Sequence, residues 1–289
     1  MPQGLFKPLK NIRVLDFTRL LPGPFCSYLL AESGARVTVV EHPTEREVLS
    51  FPPVKALKKF LKLDLKSGKG LQKAKALVKR ADVLMEGFRP GVLERLGLGF
   101  REARKIQPRI VYCSLTGYGQ AGGAKAGHDL NYLSVSGLLS ALAAGRELRI
   151  PGVPLADLVG GFSAAFQIAA ALSVPKRRAV HLDVSICQAA EGFLVPLDGE
   201  VQKAIGPVFN GSLARYQLYS TGDGKHLAVA PLEEKFWKSF VEKMKIPSEV
   251  LTQGEARVAE WLKARFKEKS RDGWLRELSD PNLCVTPVI

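Results

Sequence analysis

The sequence predicts an α/β fold: a Rossmann-like parallel sheet in a large domain, followed by a smaller α+β domain. Three observations carry this. Short apolar runs alternate with helical segments through the first two thirds of the chain, the pattern of a parallel sheet covered on both faces. The segments "IRVLDF", "LLPGPFCSYLLAESGA" and "RVTVVEHP" supply strand, turn and helix, and strand in about 30 residues, the size of a βαβ unit. After about residue 200 the alternation gives way to a hairpin pattern and amphipathic helices. We therefore expect a large domain over residues 1–199 and a small one over 200–289.

"IRVLDF" is a short apolar run, read as a buried strand. The Pro-Gly-Pro after it fits a turn into a helix, and Ser33-Gly34 fits that helix's end. "RVTVVEHP" is the next strand. "LQKAKALVKRA" is helical, "DVLMEGF" a strand, "GVLERLGL" a short helix and "RIVYCSLTGYG" a strand. "LADLVGGFSAAFQIAAALSV" is a helix whose small residues permit close packing, and "AVHLDVSICQAAEGFL" reads as strand then helix. "YQLYSTGDGKHLAVAP" fits a hairpin with Gly-Asp-Gly in its turn. "EEKFWKSFVEKM" and "ARVAEWLKARFKEKSRDGWLRELS" read as amphipathic helices.

With 289 residues, 46% of them hydrophobic and 24% charged, the chain can bury a core without disulfide or metal staples. Its net charge of +14 implies an anionic partner without saying which: nucleic acid, an anionic membrane and a polyphosphorylated cofactor all fit. Much of the excess lies in residues 55–80, "KALKKFLKLDLKSGKGLQKAKALVKR", for which a solvated face of a helix and loop is the plain alternative. That run holds a single aromatic, Phe60, so it lacks the interleaving of RNA-binding motifs. Cys26, Cys113, Cys187 and Cys284 form no CxxC pair and no zinc-ligand spacing with histidine, so buried reduced thiols and no metal are expected. The N-terminus shows no signal-peptide pattern, and no run of unbroken apolar residues reaches the roughly 20 of a membrane span. A soluble cytoplasmic protein follows as the expectation.

The first strand runs into "TRLLPGP" rather than GxGxxG, and Walker A and GxSxG motifs are absent. Two titratable residues stand in suggestive company. His128 follows Gly127, where backbone can approach a ligand closely. Asp157, in "PLADLVGG", lies among small and apolar residues at a helix start. The plain alternatives are a half-buried polar histidine and an N-terminal helix carboxylate. Brought into one cleft they would form an acid/base pair, because apolar surroundings raise a carboxylate's pKa toward a useful value. Glu233 and Asp223 read from the residues alone as a first-turn helix carboxylate and a turn residue.

The blocks "LKLDLKSGKG", "ADVLMEGFRPGVLERLGLG", "PRIVYCSLTGYGQAG", "GHDLNYLSVSG", "PLADLVGG" and "YSTGDGKHLAVAPLEEKFW" occur in order along nearly the whole chain. In them the sequence resembles the family III CoA-transferases (CaiB/BaiF), and most the α-methylacyl-CoA racemase branch. The resemblance implies an acyl-CoA thioester substrate, with coenzyme A as substrate moiety and no permanently bound cofactor. It implies no nucleic-acid or membrane partner, and an interlocked homodimer. Asp157 matches the family's catalytic carboxylate, a nucleophile in the transferases and an acid/base group in the racemases, and the racemase chemistry implies a thioester enolate for which backbone N–H groups after Asp157 are candidate donors. "GHDLNY" matches the racemase block in which His128 is the second base, and Glu233 matches a glutamate that supports that histidine. Leu63, Asp64, Leu65, Lys66, Gly87, Phe88, Arg89 and Arg95 match CoA-contacting positions. Gly127, Asp129, Leu130, Asn131 and Tyr132 match a segment lining the thioester end.

The resemblance is not uniform. His42 stands where the family places a phosphate-binding arginine, and imidazole cannot give a guanidinium's bidentate contact. Lys58-Lys59-Phe60 replaces Lys-Arg-Ser, and "KRR" precedes "AVHLDVS" in place of Gly-Arg-Gly-Gln. Only Met1, Met85 and Met244 are methionines, unlike the racemase acyl surface. The sequence given stops at "CVTPVI", before the family's tail, and an incomplete form of the interlocked dimer is therefore the expectation. A CoA-transferase, and a CoA-binding protein or subunit without full catalysis, remain alternatives to the racemase-like reading.

Overall fold

The computed structural model describes residues 6–44, 55–195 and 199–289. They divide into two compact units, one of Met1–Ala143 with Glu147–Val195 and the other of Ala144–Arg146 with Pro196–Ile289. The division after residue 195 lies beside the boundary expected at 199.

The first unit is a six-stranded sheet of β1 (Arg13–Asp16), β2 (Arg36–Glu41), β3 (Lys58–Lys62), β4 (Val83–Glu86), β5 (Val111–Thr116) and β6 (Val180–Ser185). All described pairings are parallel, in the order β3-β2-β1-β4-β5-β6. The order reverses direction between β1 and β4, the switch point at which doubly wound sheets open a crevice at the strands' C-terminal ends. The helices are α1 (Pro22–Glu32), α2 (Gly68–Val78), α3 (Val92–Arg95), α4 (Phe100–Ile106), α5 (Asp129–Val135), α6 (Leu138–Ala143), α7 (Leu155–Ser173) and α8 (Ile186–Gly192).

Strand alternation sorts the core into two layers. Val14, Val37, Met85 and Cys113 pack with Cys26 and Leu30 of α1, Leu133 of α5 and Ile168 of α7. Their neighbours Leu15, Val40, Leu84 and Tyr112 pack on the other face with Ala74 and Val78 of α2, Leu93 and Ala103. Burial on both faces explains why these strands read as continuous apolar runs.

The basic run does not form only a helix and loop. Residues 58–62 are the edge strand β3, and the helix begins at Gly68. Lysine suits that edge because it discourages pairing with another chain. Ser67 starts α2 by accepting a hydrogen bond from Gly70 N–H at 3.0 Å.

Helix α7 is long and apolar enough to cross a membrane by length and composition. In this fold it packs against α1, α8, β5 and β6. Its small residues make that possible. A Cβ on Gly161 would come within 2.5 Å of the Pro22 carbonyl oxygen, and one on Gly160 within 2.8 Å of Ile186.

The second unit holds α9 (Gly199–Phe209), β7 (Gln217–Ser220), β8 (His226–Val229), α10 (Glu234–Met244), α11 (Ser248–Thr252), α12 (Glu255–Phe266), α13 (Arg271–Glu277) and β9 (Val285–Pro287). β7 and β8 form the expected hairpin, and β9 adds to β8 as a third antiparallel strand. Tyr219, Phe240, Phe266 and Trp274 fill the core. "ARVAEWLKARFKEKSRDGWLRELS" is two helices, not one. Ser270 caps α13 by accepting from Gly273 N–H, and Asp223 of the hairpin turn accepts from Arg271 N–H. The hairpin turn is thereby tied to the helix break, so Asp223 does more than shape its own turn.

The packing of α7 on α1 gives a test of sign. Alanine stabilises an exposed helix interior relative to glycine by about 1 kcal/mol. At position 161 its methyl meets backbone, and overpacking costs about 1–3 kcal/mol. Gly161→Ala therefore lowers the midpoint of urea unfolding instead of raising it.

Candidate active site

Parallel strands deliver their following loops to one edge of the sheet, and most of the expected ligand contacts lie there. His42 follows β2, Leu63–Lys66 follow β3, and Gly87, Phe88 and Arg89 follow β4. Arg95, on α3, is exposed. Gly87 fits at the switch point because a Cβ there would meet the Leu115 carbonyl oxygen at 3.3 Å. Phe88 lies beneath the guanidinium of Arg19, 5.4 Å from its centroid. Asp64 turns the chain after β3 by accepting from Lys66 N–H at 2.9 Å. His42 keeps its imidazole near that carboxylate, 3.6 Å from Asp64 Oδ1, and 2.8 Å from Thr44 Oγ1. The departure at His42 is therefore accommodated by local polar partners.

Two helix starts meet beside this edge. Pro154 stands at the N-cap of α7 and has no side-chain acceptor to offer. The orphan N–H of Asp157 is instead capped from another helix: Asp129, the first residue of α5, accepts it through Oδ1 at 2.9 Å. His128 is the N-cap residue of α5, and Asn131 closes that helix's first turn by accepting from His128 N–H at 3.0 Å. Tyr132 anchors the turn by donating its hydroxyl to the Gly127 carbonyl at 2.6 Å, its ring edge-on to Tyr118. Gly117 and Gly127 leave the room Tyr132 needs, since a Cβ at either would approach its ring within 3 Å.

The electrostatics follow from this geometry. Burial pushes the half-buried Asp157 carboxyl up to about 6; the neighbouring Asp129 charge adds to the rise, and His128 opposes it. The structure thus brings His128, Asp129 and Asp157 into one electrostatic unit. His128 is exposed, not half-buried. Burial, with Asp157 and Tyr118 adding, raises the Tyr132 hydroxyl to about 12, so it stays protonated as a donor. The expectation that N–H groups after Asp157 are free for an enolate does not hold for the next one. Leu158 N–H bonds the Pro154 carbonyl at 3.1 Å, and Asp157's own N–H is taken by Asp129. Leu130 and Asn131 are exposed along α5. Glu233 belongs to the second unit, where it is the exposed N-cap residue of α10. Among the described residues no cluster of three His, Cys, Asp or Glu side chains suits a metal ion, and all four cysteines are free.

Sequence reasoning missed two buried polar chains under the edge. Asp16, fully buried, accepts from Thr18 N–H, Thr18 Oγ1 and Ser27 Oγ, and Lys58 Nζ reaches Ser27 Oγ and the Pro24 carbonyl, each at 2.7 Å. This ties the loop after β1 to α1 and β3. Glu86, at the end of β4, accepts from Phe88 N–H at 2.9 Å and from Ser114, whose hydroxyl lies 2.9 Å from His181 Nε2. Burial raises Glu86 to about 7 and lowers His181. The available signal was a carboxylate closing an apolar strand, in "RVLD" and in "VLME".

The fold and site define a doubly wound α/β protein with a histidine and a carboxylate at two adjoining helix starts beside the strand-end edge. The model of the CoA-transferase family III matches residues 9–289, and the chain belongs to that family. Among similar proteins, human alpha-methylacyl-CoA racemase is 34% identical, with 97% of this chain and 78% of that one covered. Mouse succinyl-CoA:glutarate CoA-transferase is 30% identical, covering 93% and 69%. The crystal structure of a CaiB/BaiF family protein from Brucella suis superposes with a TM-score of 0.78 at 25% identity, over 99% of this chain and 85% of the other.

The raised Asp157 carries a stability consequence with a definite sign. Its folded pKa lies above its unfolded value, so folding favours the protonated form, and stability is lost as pH rises from about 4 through about 6. Asp157→Asn removes that loss. The variant melts higher than the parent at pH 7.5, and the difference shrinks toward zero below pH 4, as thermal melts across that range will read.

Proposed function

We propose that this family III protein is a racemase-like enzyme that epimerises a 2-methylacyl- or 2-arylacyl-CoA by 1,1-proton transfer through an enolate. The observation that carries the reading is the pairing of Asp157, raised to about 6, with the charge of His128 at the adjoining helix start. A pKa near neutrality keeps both forms of the carboxyl accessible, as an acid/base group needs. In one direction neutral His128 takes the α-proton, and the C–H electron pair moves onto the thioester oxygen. Protonated Asp157 then returns a proton to the opposite face of the same carbon. In the other direction the two exchange roles. Tyr132 and Asp129 act by position, fixing the two helix starts. The positive end of the α7 dipole, at whose first turn Asp157 stands, favours developing negative charge. CoA is a substrate moiety here, its phosphates facing Lys66, Arg89 and Arg95.

A second reading is favoured by the mouse transferase relative. There Asp157 attacks the thioester carbonyl, expels the CoA thiolate and forms an acyl anhydride. The thiolate then attacks the aspartyl carbonyl of the anhydride, releasing the carboxylate and leaving an aspartyl-CoA thioester. We further propose a homodimer. Phe162, Phe166 and Phe193 expose apolar surface on and beside α7 of a kind that a second copy would bury.

Two measurements check these statements. The folded chain incubated with 2-methylacyl-CoA in D₂O incorporates deuterium at the α-carbon, and His128→Ala slows this by about 10²–10⁴-fold without lowering the melting temperature. Absence of exchange with any CoA ester tested sinks the racemase reading. Hydroxylamine trapping of an acyl group on Asp157, with transferase activity intact in His128→Ala, establishes the second. Light scattering reports twice the monomer mass if the dimer forms.

A further inference from the structure

At the opposite edge of the sheet, at the strands' N-terminal ends, lies a cavity of about 400 Å³. Four cations line it: Arg13, Arg36, Lys59 and Arg80. The strands place them together for a geometric reason. Arg13 and Arg36 are direct partners across β1 and β2, and Lys59 pairs with Thr38, two residues along β2. Period two puts Arg13 on the face of Leu15, and Arg36 on the face of Thr38 and Val40. Lys58 turns to the other face, toward Pro24 and Ser27, which leaves Lys59 on this one. Arg80 arrives from the turn after α2.

Like charges directly opposite across neighbouring strands are unfavourable. Among the described residues, none of these four side chains has a hydrogen-bond or ion-pair partner, and no carboxylate lines the cavity. Asp82 stands beside the cavity but not in its lining: it accepts from Arg13 backbone N–H at 3.0 Å, and its charge acts on Arg177. Leu15, Leu57 and Leu77 give the cavity an apolar wall, and Leu57 is 46% exposed there. Converging unpaired cations beside an apolar wall match a molecule with a multiply charged anionic end and a flat apolar body.

We propose that this cavity binds a nucleoside phosphate, its phosphate held by Arg13, Arg36, Lys59 and Arg80 and its base against Leu57 and Leu77. The site is separate from the strand-end edge that carries His128 and Asp157, and it does not rest on the proposed reaction. Guanidinium–phosphate pairs are charge-assisted and geometrically specific, so arginine loss is the informative change.

Calorimetric titration of the full chain with AMP tests it. One AMP binds per chain, and the double variant Arg13→Gln/Arg36→Gln weakens binding by about tenfold or more. Arg101→Gln, which removes an exposed charge on α4, leaves it unchanged. Both changes are at exposed positions, and matching melting temperatures establish that the variants fold. Four outcomes overturn the proposal: no binding at about millimolar AMP; binding indifferent to the double variant, which places AMP elsewhere; inorganic pyrophosphate binding as tightly as AMP, which reduces the cavity to a plain anion site; or a DNA duplex displacing AMP, which makes the surface a nucleic-acid contact.

Discussion

The hydrogen bond from Asp157 N–H to Asp129 Oδ1, at 2.9 Å, joins the starts of α5 and α7. Proline at the α7 N-cap leaves that N–H without a local acceptor, and the first residue of another helix supplies one. The consequence is electrostatic as much as structural. A carboxylate needed as a cap is brought close to the carboxylate at the third helical position, and its charge adds to the rise that burial imposes on Asp157. His128, next to Asp129 in sequence, is carried to the same place and opposes that rise. Asp129, Asp157 and His128 are therefore parts of one arrangement at the two helix starts.

That arrangement needs α7 held at a fixed depth. Gly160 and Gly161 let the helix close on Ile186 and on the Pro22 carbonyl, at distances no Cβ would tolerate. Helix α7 has a membrane-like hydropathy from its Leu, Val, Ile, Phe and Ala residues, and the two glycines are what let it pack closely within the first unit. The α1 side of that contact is steadied in turn by Asp16, Ser27 and Lys58. Burial holds Lys58 below the ordinary lysine range, with Asp16 opposing. The cost of burying both groups is offset by their sharing the Ser27 hydroxyl, which neither could do from the surface.

Much of the fold was legible because it rests on local patterns. Apolar runs such as "IRVLDF" and "RIVYCSLTGYG" are strands buried on both faces, and their continuity is visible in a single sequence. β3 was harder, since "KKFLK" alternates at an edge and its lysines read equally well as a solvated helix. β9 was illegible: three residues ending in proline form a strand only because β8 offers an unpaired edge. At the site, His128 and Asp157 were visible as residue types in unusual company, and the family resemblance named them. Their common electrostatic environment was not visible, because it depends on a bond between residues 28 apart that no periodicity encodes. The chain Glu86–Ser114–His181 was hidden for a similar reason, being written across three strands rather than along one.

The +14 charge, which composition could assign only to some anion, resolves into places with different surroundings. At the strand ends, Arg89 follows β4, and Lys66 follows β3 in the turn where its backbone N–H donates to the Asp64 carboxylate. At the other edge Arg13, Arg36, Lys59 and Arg80 converge with no carboxylate in their lining. A net charge spread evenly would serve solubility alone. Concentrating it across three paired strands raises the energy of the empty fold, and an anion bound there would relieve that repulsion. The register that stacks Arg13 on Arg36 is the same register that builds the sheet's core from Val14 and Val37, so the repulsion cannot be released by sliding the strands.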